Sequence, residues 1–106
     1  MDIIMVTTFE TLKKGDTVWK VGEDQSNGCS TDIYKIDKEP SFIKKGLRIK
    51  LKLSEDGGCK EKFSRITIPT SWMTMSFFNG FVLNEKDVDS AKGLFLTMID
   101  IFNGNI

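Results

Sequence analysis

The strongest constraint on the fold is a strict alternation of apolar and basic side chains over residues 46–53, "GLRIKLKL". Its apolar members are Leu47, Ile49, Leu51 and Leu53, and its basic members are Arg48, Lys50 and Lys52. Successive side chains of a β-strand point to opposite faces of the sheet. The segment is therefore predicted to be a strand that buries one face and carries three positive charges on the other.

The rest of the chain carries further strand and turn signals. Segments rich in β-branched and aromatic residues predict strands over residues 16–21, 32–38 and 62–69. Asn79-Gly80 stands between two short apolar runs and predicts a hairpin, because both turn positions need positive φ. Pro40 predicts a connector over residues 39–46, since proline cannot donate to a strand ladder.

Helical signals lie near the two ends of the chain. A short helical turn, or a looser loop, is predicted over residues 8–14, with Gly15 as its left-handed stop. Asn84 is a favourable N-cap for a helix predicted over residues 85–103. From Val88 onward, the apolar residues of this helix form a stripe about 160° wide, which needs a surface to cover.

These elements predict one domain over residues 1–106, mainly β with a C-terminal helix, in the α+β class. Strands with short connections favour an antiparallel sheet. A small sheet leaves costly edges, and curling removes them. We therefore expect residues 1–83 to form a small curled antiparallel sheet or five-stranded barrel, capped by a helix within residues 84–106.

Composition excludes several kinds of chemistry. The chain has no histidine, which removes Ser-His-Asp and Cys-His catalysis and mixed Cys/His zinc sites. Two cysteines, Cys29 and Cys59, cannot complete a four-sulfur zinc site, and without an export signal both are expected to stay reduced. We predict no cofactor, no metal site and no catalytic residue, and an enzyme ranks third among the functions considered.

The distribution of charge and hydropathy indicates where in the cell the protein is expected and from what kind of source it comes. Fifteen basic and fifteen acidic residues cancel, although residues 31–65 hold ten basic and six acidic side chains. No segment approaches the roughly 18 apolar residues of a membrane span, and the opening residues lack the basic region of a signal peptide. We expect a cytoplasmic protein. Alanine occurs once, at Ala91, a bias that is compatible with a bacteriophage or another AT-rich source.

In "LKKGDTVWKV", residues 12–21, a Gly-Asp pair precedes an alternating strand. This arrangement resembles the first strand of the Src-homology-3-like small β-barrels. The loop at 22–31, the polar turn at 54–61 and "PTSW" at 69–72 fit the same layout, so the resemblance covers roughly residues 12–83. It implies binding of peptides, nucleic acids or other domains. The aromatic motif of the peptide-binding branch is absent, so no site is carried over.

The basic strand face is the first candidate site. It is predicted to combine Arg48, Lys50 and Lys52 with Lys35 and Arg65 from neighbouring strands. Such a face can track a phosphate backbone, and Phe63, on the alternation of Arg65, would be its stacking aromatic. An acidic protein is a second partner for it. A merely solvated face, neutralised by nearby acids, is the third interpretation.

Apolar surface supplies two further candidates. Trp72 lies in a predicted tight turn, where partial exposure would suit a protein interface. The C-terminal stripe could pack on the sheet or form a symmetric dimer. The residues predicted for self-association are Leu94, Leu96, Met98, Ile101 and Phe102.

Together, these patterns favour a non-enzymatic binding module for a protein partner, an accessory or inhibitory protein of phage or mobile-element type. The alternative is a nucleic-acid-binding small barrel that uses the basic face. No membrane partner is expected.

Overall fold

A computed structural model of the chain describes residues 7–22 and 31–92. Within these ranges the chain is mainly β, and it begins a helix near its C-terminal end. The strands are β1 (Thr17–Lys20), β2 (Asp32–Ile36), β3 (Ser41–Ile43), β4 (Gly46–Glu55), β5 (Arg65–Pro69), β6 (Phe77–Phe78) and β7 (Phe81–Val82). Short 3-10 turns occur at Phe9–Thr11, Thr70–Trp72 and Glu85–Asp87.

All strand pairs in the described residues are antiparallel, and β4 is the longest strand. The first half of β4 pairs with β3 on one edge and β5 on the other, whereas its second half pairs with β2. The sheet continues from β2 through β1 and β7 to β6. It curls into a half-barrel, which confirms the predicted fold class.

The inner face of the curled sheet encloses the main core. Alternate residues of the central strands are buried in it, as predicted for Leu47, Ile49 and Leu51. Leu53, which was predicted to be buried with them, is 37% exposed. Tyr34 and Phe81 are almost fully buried at its centre, with ring centroids 6.4 Å apart. The aliphatic members of this cluster are Leu12, Val18, Ile36, Leu47, Ile49, Leu51, Ile66, Ile68 and Leu83, and Phe9 completes it.

The outer face of the sheet is divided into an apolar part and a charged part. Over β1, β6 and β7 it is apolar, and a second buried cluster of Val21, Val82 and Ala91 lies there. The helical residues 88–92 supply Ala91 and the half-buried Val88 to this cluster. The start of the helix therefore packs on the outer face of the sheet. Over β2, β4 and β5 the outer face carries the exposed basic side chains described below.

Two predicted glycine turns are confirmed. Asn79 and Gly80 have φ values of 47° and 85°, as required for the tight β6–β7 hairpin. Gly15 has a φ of 90° and follows the 3-10 turn Phe9–Thr11, which occupies part of the predicted helical segment. The local sequence was sufficient to predict both turns, because few residues other than glycine and asparagine tolerate positive φ.

The connector predicted around Pro40 was wrong in part. Pro40 does lie outside a strand, but β3 begins at the next residue and forms a two-residue hairpin with β4 through Lys44 and Lys45. The Asp37 N–H donates to the Lys50 carbonyl at 2.9 Å, so β2 and β3 lie along the same edge of β4. The residues between them, 37–40, form an interruption in that edge, which we call the bulge.

The C-terminal helix was predicted over residues 85–103. In the structure the chain first makes the 3-10 turn Glu85–Asp87, and α-helical residues follow at 88–92. The rest of the predicted helix lies outside the described residues. So do all five residues predicted for self-association, which are Leu94, Leu96, Met98, Ile101 and Phe102.

Within residues 7–22 and 31–92, no helix has both the length and the apolar character needed to cross a membrane.

Gly46, at the start of β4, is required by a close backbone contact. Its φ is 142°, and a Cβ atom placed there would lie 2.0 Å from the Ile68 carbonyl oxygen on β5. Backbone atoms cannot withdraw as a flexible side chain can. Any side chain at this position would therefore separate the strands that flank the basic residues.

Replacing Gly46 by alanine should lower the free energy of unfolding by about 3 kcal/mol or more, because positive φ and a backbone clash act together. Gly15→Ala is the matched control: its φ is also positive, at 90°, but a Cβ there meets nothing within 4 Å. The control should lose only about 1 kcal/mol. Urea unfolding followed by tryptophan fluorescence measures both, and equal losses would contradict the assigned contact.

Candidate functional site

The five predicted basic residues lie together on the outer face of the sheet. Lys35 comes from β2, Arg48, Lys50 and Lys52 from β4, and Arg65 from β5, and all five side chains are exposed. We call this surface the cationic face. Its formation follows from the alternation, because burying the odd-numbered apolar residues of β4 turns the even-numbered residues outward.

The register of the sheet places like charges directly opposite one another. Lys35 is paired with Lys52, and Lys50 is paired with Arg65. The Cβ atoms of directly opposed residues lie about 4.5–5.5 Å apart, and like charges at that separation destabilise a sheet. The cationic face therefore lowers the stability of the fold unless something outside it supplies negative charge.

Carboxylates of the described residues lie near this face, Glu39 among them, but they form no ion pair with its five cations. None of its five cations forms an ion pair with an acidic residue within 7–22 and 31–92. Asp37 lies opposite Lys50 but contributes its backbone N–H rather than an ion pair. The Lys35 ammonium donates to the Thr17 hydroxyl of β1, which is neutral. Within the described residues the structure shows no such ion pair, and the interpretation of the face as a solvated surface stays a prediction.

A shallow cavity opens at the end of the cationic face next to the bulge. Its volume is about 200 Å³. It is lined by Lys38, Glu39, Ser41, Arg48, Lys50 and Arg65. The sequence analysis had not included the three residues contributed by the bulge and β3. The signal that could have found them was Gly46 after Lys44-Lys45, which marks a β3–β4 hairpin and brings residue 41 opposite Arg48.

Phe63 does not belong to the cationic face, contrary to the prediction. Its ring meets that of Phe81 edge-on, with centroids 5.1 Å apart, and packs against the main core. The alternation failed because β5 begins at Arg65 and not at residue 62. The Phe63 N–H donates to the Tyr34 hydroxyl at 3.1 Å, which fixes the inward turn of the preceding loop.

Trp72 is partly exposed, at 38%, in the 3-10 turn Thr70–Trp72 that follows β5. Its ring lies 5.6 Å from that of Phe78. Trp72 is not among the residues that line the cavity. Phe42, at 69%, and Met75, at 50%, are further exposed apolar residues that the sequence analysis had not selected.

A second charged cluster has a structural role. The fully buried carboxylate of Asp32 accepts hydrogen bonds from the Gly57 N–H, at 2.6 Å, and from the Lys62 ammonium, at 2.8 and 2.9 Å. Lys62 also donates to Asp56 at 2.6 Å. These bonds tie the loop between β4 and β5 to β2. The cluster anchors that loop beneath the sheet and leaves no open position for a ligand on Asp32.

The pKa values of this cluster follow from its contacts. Burial lowers the pKa of Lys62, but the hydrogen bonds and charges of Asp32 and Asp56 outweigh burial and raise it above its ordinary value of 10.5. The hydrogen bond from Lys62 lowers the pKa of Asp56. Burial raises the pKa of Tyr34 above 10.0 because it penalises the phenolate.

Lys20 is a buried cation on the inner face. Only 6% of it is exposed, its ammonium donates to the Val21 carbonyl at 2.8 Å, and it lies 5.7 and 5.5 Å from the ring centroids of Phe63 and Phe81. Contacts of this kind stabilise a desolvated ammonium. Cys59 is also buried, whereas Cys29 lies outside the described residues. Across the described segments, no three Cys, Asp or Glu side chains are grouped as metal ligands.

Comparison with protein-family models, with curated protein sequences and with solved structures finds no match to this chain. The fold and site therefore define a small curled antiparallel sheet with a cationic outer face. The resemblance to Src-homology-3-like barrels remains a prediction.

Lys52→Glu should stabilise the isolated protein, because it replaces a like-charge pair with an attractive pair opposite Lys35. We expect the free energy of unfolding to rise by about 0.5 kcal/mol at low salt. The gain should shrink at high salt, where exposed charges are screened. Lys52→Gln only removes the repulsion, so it should raise the free energy of unfolding by about half as much as Lys52→Glu does. Urea denaturation at two salt concentrations measures the effect, and a destabilised Lys52→Glu protein would show that the lysine pair is not repulsive.

The raised pKa of Tyr34 predicts alkaline sensitivity. The unfolded chain loses the phenolic proton first, so this contribution to stability is present below pH 10.0 and is lost as pH rises above it. The slope from Tyr34 is at most about 1.4 kcal/mol per pH unit. Tyr34→Phe should be less stable at neutral pH by about 1 kcal/mol, since Phe63 N–H loses its acceptor, yet its stability should fall less steeply in alkali. Urea titrations of both proteins at several pH values above 10 measure this difference. If the free energy of unfolding falls equally steeply with pH in the two proteins, Tyr34 is not the source of the alkaline sensitivity.

Proposed function

We propose that the protein is a non-enzymatic binding module that engages an acidic surface of a protein partner through its cationic face. The observation that carries the proposal is the set of like-charge pairs, Lys35 with Lys52 and Lys50 with Arg65, without acidic partners in the described residues. Such pairs cost stability in the free protein, and a bound polyanion removes that cost.

Three observations favour a protein over a nucleic acid. No described aromatic side chain joins the cationic face, since Phe63 packs inward, so bases would find no stacking platform there. The net charge of the chain is zero, which gives no long-range attraction toward a polyanionic duplex. The sheet curls around its core, so the cationic face is convex and contacts few phosphates of a cylindrical duplex. Nucleic-acid binding is the alternative that the experiment below separates.

Several finer predictions accompany this proposal. An accessory or inhibitory role in a phage or mobile element is supported only by the alanine-poor composition. The Src-homology-3-like resemblance supports binding in general, and Trp72 offers an apolar contact beside the charged ones. A cytoplasmic location and self-association through the C-terminal stripe complete the hypothesis.

Binding of fluorescently labelled hexaglutamate, a minimal acidic protein segment, tests the proposal by anisotropy. Lys50→Glu should weaken binding about fivefold or more, because it reverses a charge at the centre of the face. The matched control is Lys86→Glu, the same charge change at an exposed site in the turn Glu85–Asp87. The control should stay within about twofold of the wild-type affinity. Affinity of the wild type should fall as salt is raised.

A duplex oligonucleotide of equal total charge forms the second arm of the experiment. Tighter binding to the duplex than to hexaglutamate, with the same loss on Lys50→Glu, would establish the nucleic-acid alternative. Equal losses for Lys50→Glu and Lys86→Glu would show that the cationic face is only a solvated surface.

A further inference from the structure

The cavity next to the bulge differs from the rest of the cationic face in its construction. Three chain segments meet around it, the bulge with β3, the first half of β4, and β5. Its volume of about 200 Å³ far exceeds the roughly 30 Å³ share of a single water molecule in the liquid. It can therefore accept a small ionic group together with part of its hydration shell.

Two arginines are placed to act together in this cavity. Arg48 pairs with Thr67, and the neighbouring outward position, Lys50, pairs with Arg65. Arg48 and Arg65 are therefore diagonal neighbours across the ladder, about 7–8 Å apart at their Cα atoms. Guanidinium groups offer planar pairs of N–H donors that match the oxygens of an oxyanion, which lysine ammonium groups do not.

Positive charge is in large excess at this cavity. Lys38, Lys50 and the two arginines give four cations, against the single carboxylate of Glu39. That carboxylate has a structural role, because its Oε1 accepts a hydrogen bond from the Lys14 N–H at 3.1 Å and fastens the bulge to the preceding turn. The Ser41 side chain adds a neutral hydroxyl opposite Arg48.

We propose that this cavity binds the phosphoryl group of a phosphorylated side chain on the protein partner. The inference deepens the proposed function and rests on it, since it assigns the chemistry of one group within the acidic partner surface. A phosphoryl group carries a charge of about −1.5 to −2 and three acceptor oxygens, which matches paired guanidinium groups better than the single charge of a carboxylate does. Clusters of arginine are a recurrent means of recognising phosphorylated residues.

A pair of labelled peptides tests the inference. One is hexaglutamate, and the other is the same peptide with phosphoserine at its third position. The wild-type protein should bind the phosphopeptide about fivefold more tightly, the gain expected from additional charge-assisted hydrogen bonds at an exposed site. Titration with inorganic phosphate, followed by amide NMR, should shift the signals of Arg48, Lys50 and Arg65 before those of Lys35.

Substitutions locate the preference within the face. Arg48→Lys and Arg65→Lys keep the charge and remove the fork of donors, so each should lower the affinity for the phosphopeptide more than that for hexaglutamate and reduce the preference to about twofold or less. Lys52→Gln is the matched control on the same face but outside the cavity, and it should weaken both peptides while leaving their ratio unchanged. Glu39→Gln keeps an acceptor for the Lys14 N–H and should increase the preference.

Each outcome separates this inference from the proposed function. If both peptides bind equally and Lys50→Glu weakens both, the acidic-partner proposal stands and the phosphoryl site is overturned. If neither peptide binds, both are overturned. If an oligonucleotide of matched charge binds more tightly than the phosphopeptide and its affinity falls in Arg48→Lys, the cavity contacts a nucleic-acid phosphate and the inference is likewise overturned.

Discussion

The alternation along β4 is the constraint on which the rest of the structure depends, because it couples the core to the cationic face. Leu47, Ile49 and Leu51 are almost completely buried, and each such side chain contributes about 1.5–3 kcal/mol on burial. A like-charge pair on the opposite face costs only about 0.2–1 kcal/mol. The free energy gained by burying the core side chains exceeds the cost of the like-charge pairs, so the basic side chains are held outward even though they repel one another. A slip of one residue in register would move the apolar side chains of β4 to the solvent face and the basic side chains into the core. The burial of the apolar side chains therefore fixes the register of the strand.

The same chain treats its cations in two contrasting ways. Lys62 is held between two carboxylates, one of them fully buried on Asp32, and this pairing fastens the loop between β4 and β5. The five residues of the cationic face, of which Lys35 lies on the same strand as Asp32, form no ion pair with a described acidic residue. The sequence therefore supplies a partner where a cation supports the fold. On the cationic face, by contrast, cations of neighbouring strands stand directly opposite one another, which is the physical basis of the proposal that this surface binds an anion.

The fold was predictable where local rules decide the structure, and the site was predictable only in part. The Asn79-Gly80 turn needed no distant partner, and the alternation of β4 identified Leu47, Ile49 and Leu51 as buried. It was wrong for Leu53, which is 37% exposed where the pairing of β2 with β4 shifts in register. The predicted orientation of Phe63 was wrong because it depends on contacts with Phe81 and with the Tyr34 hydroxyl, and both residues are distant in sequence. The cavity was missed because it arises from the pairing of β3 with β4, and Pro40 was taken to exclude a strand over that segment. Burial of Asp32 likewise depends on Gly57 and Lys62, more than twenty residues away along the chain.

Placing the cations on a sheet rather than on a loop determines what kind of recognition they can perform. Arg48 and Lys50 lie on a strand that is hydrogen-bonded along both edges, and Gly46 holds the start of that strand against β5. Their backbone spacing is therefore fixed before a partner arrives, and binding orders only the ends of the side chains. A fixed spacing discriminates among anionic patterns, because a partner whose charges are spaced differently cannot satisfy neighbouring cations together. The binding surface proposed here would thus select an arrangement of negative charge, and not merely attract any polyanion.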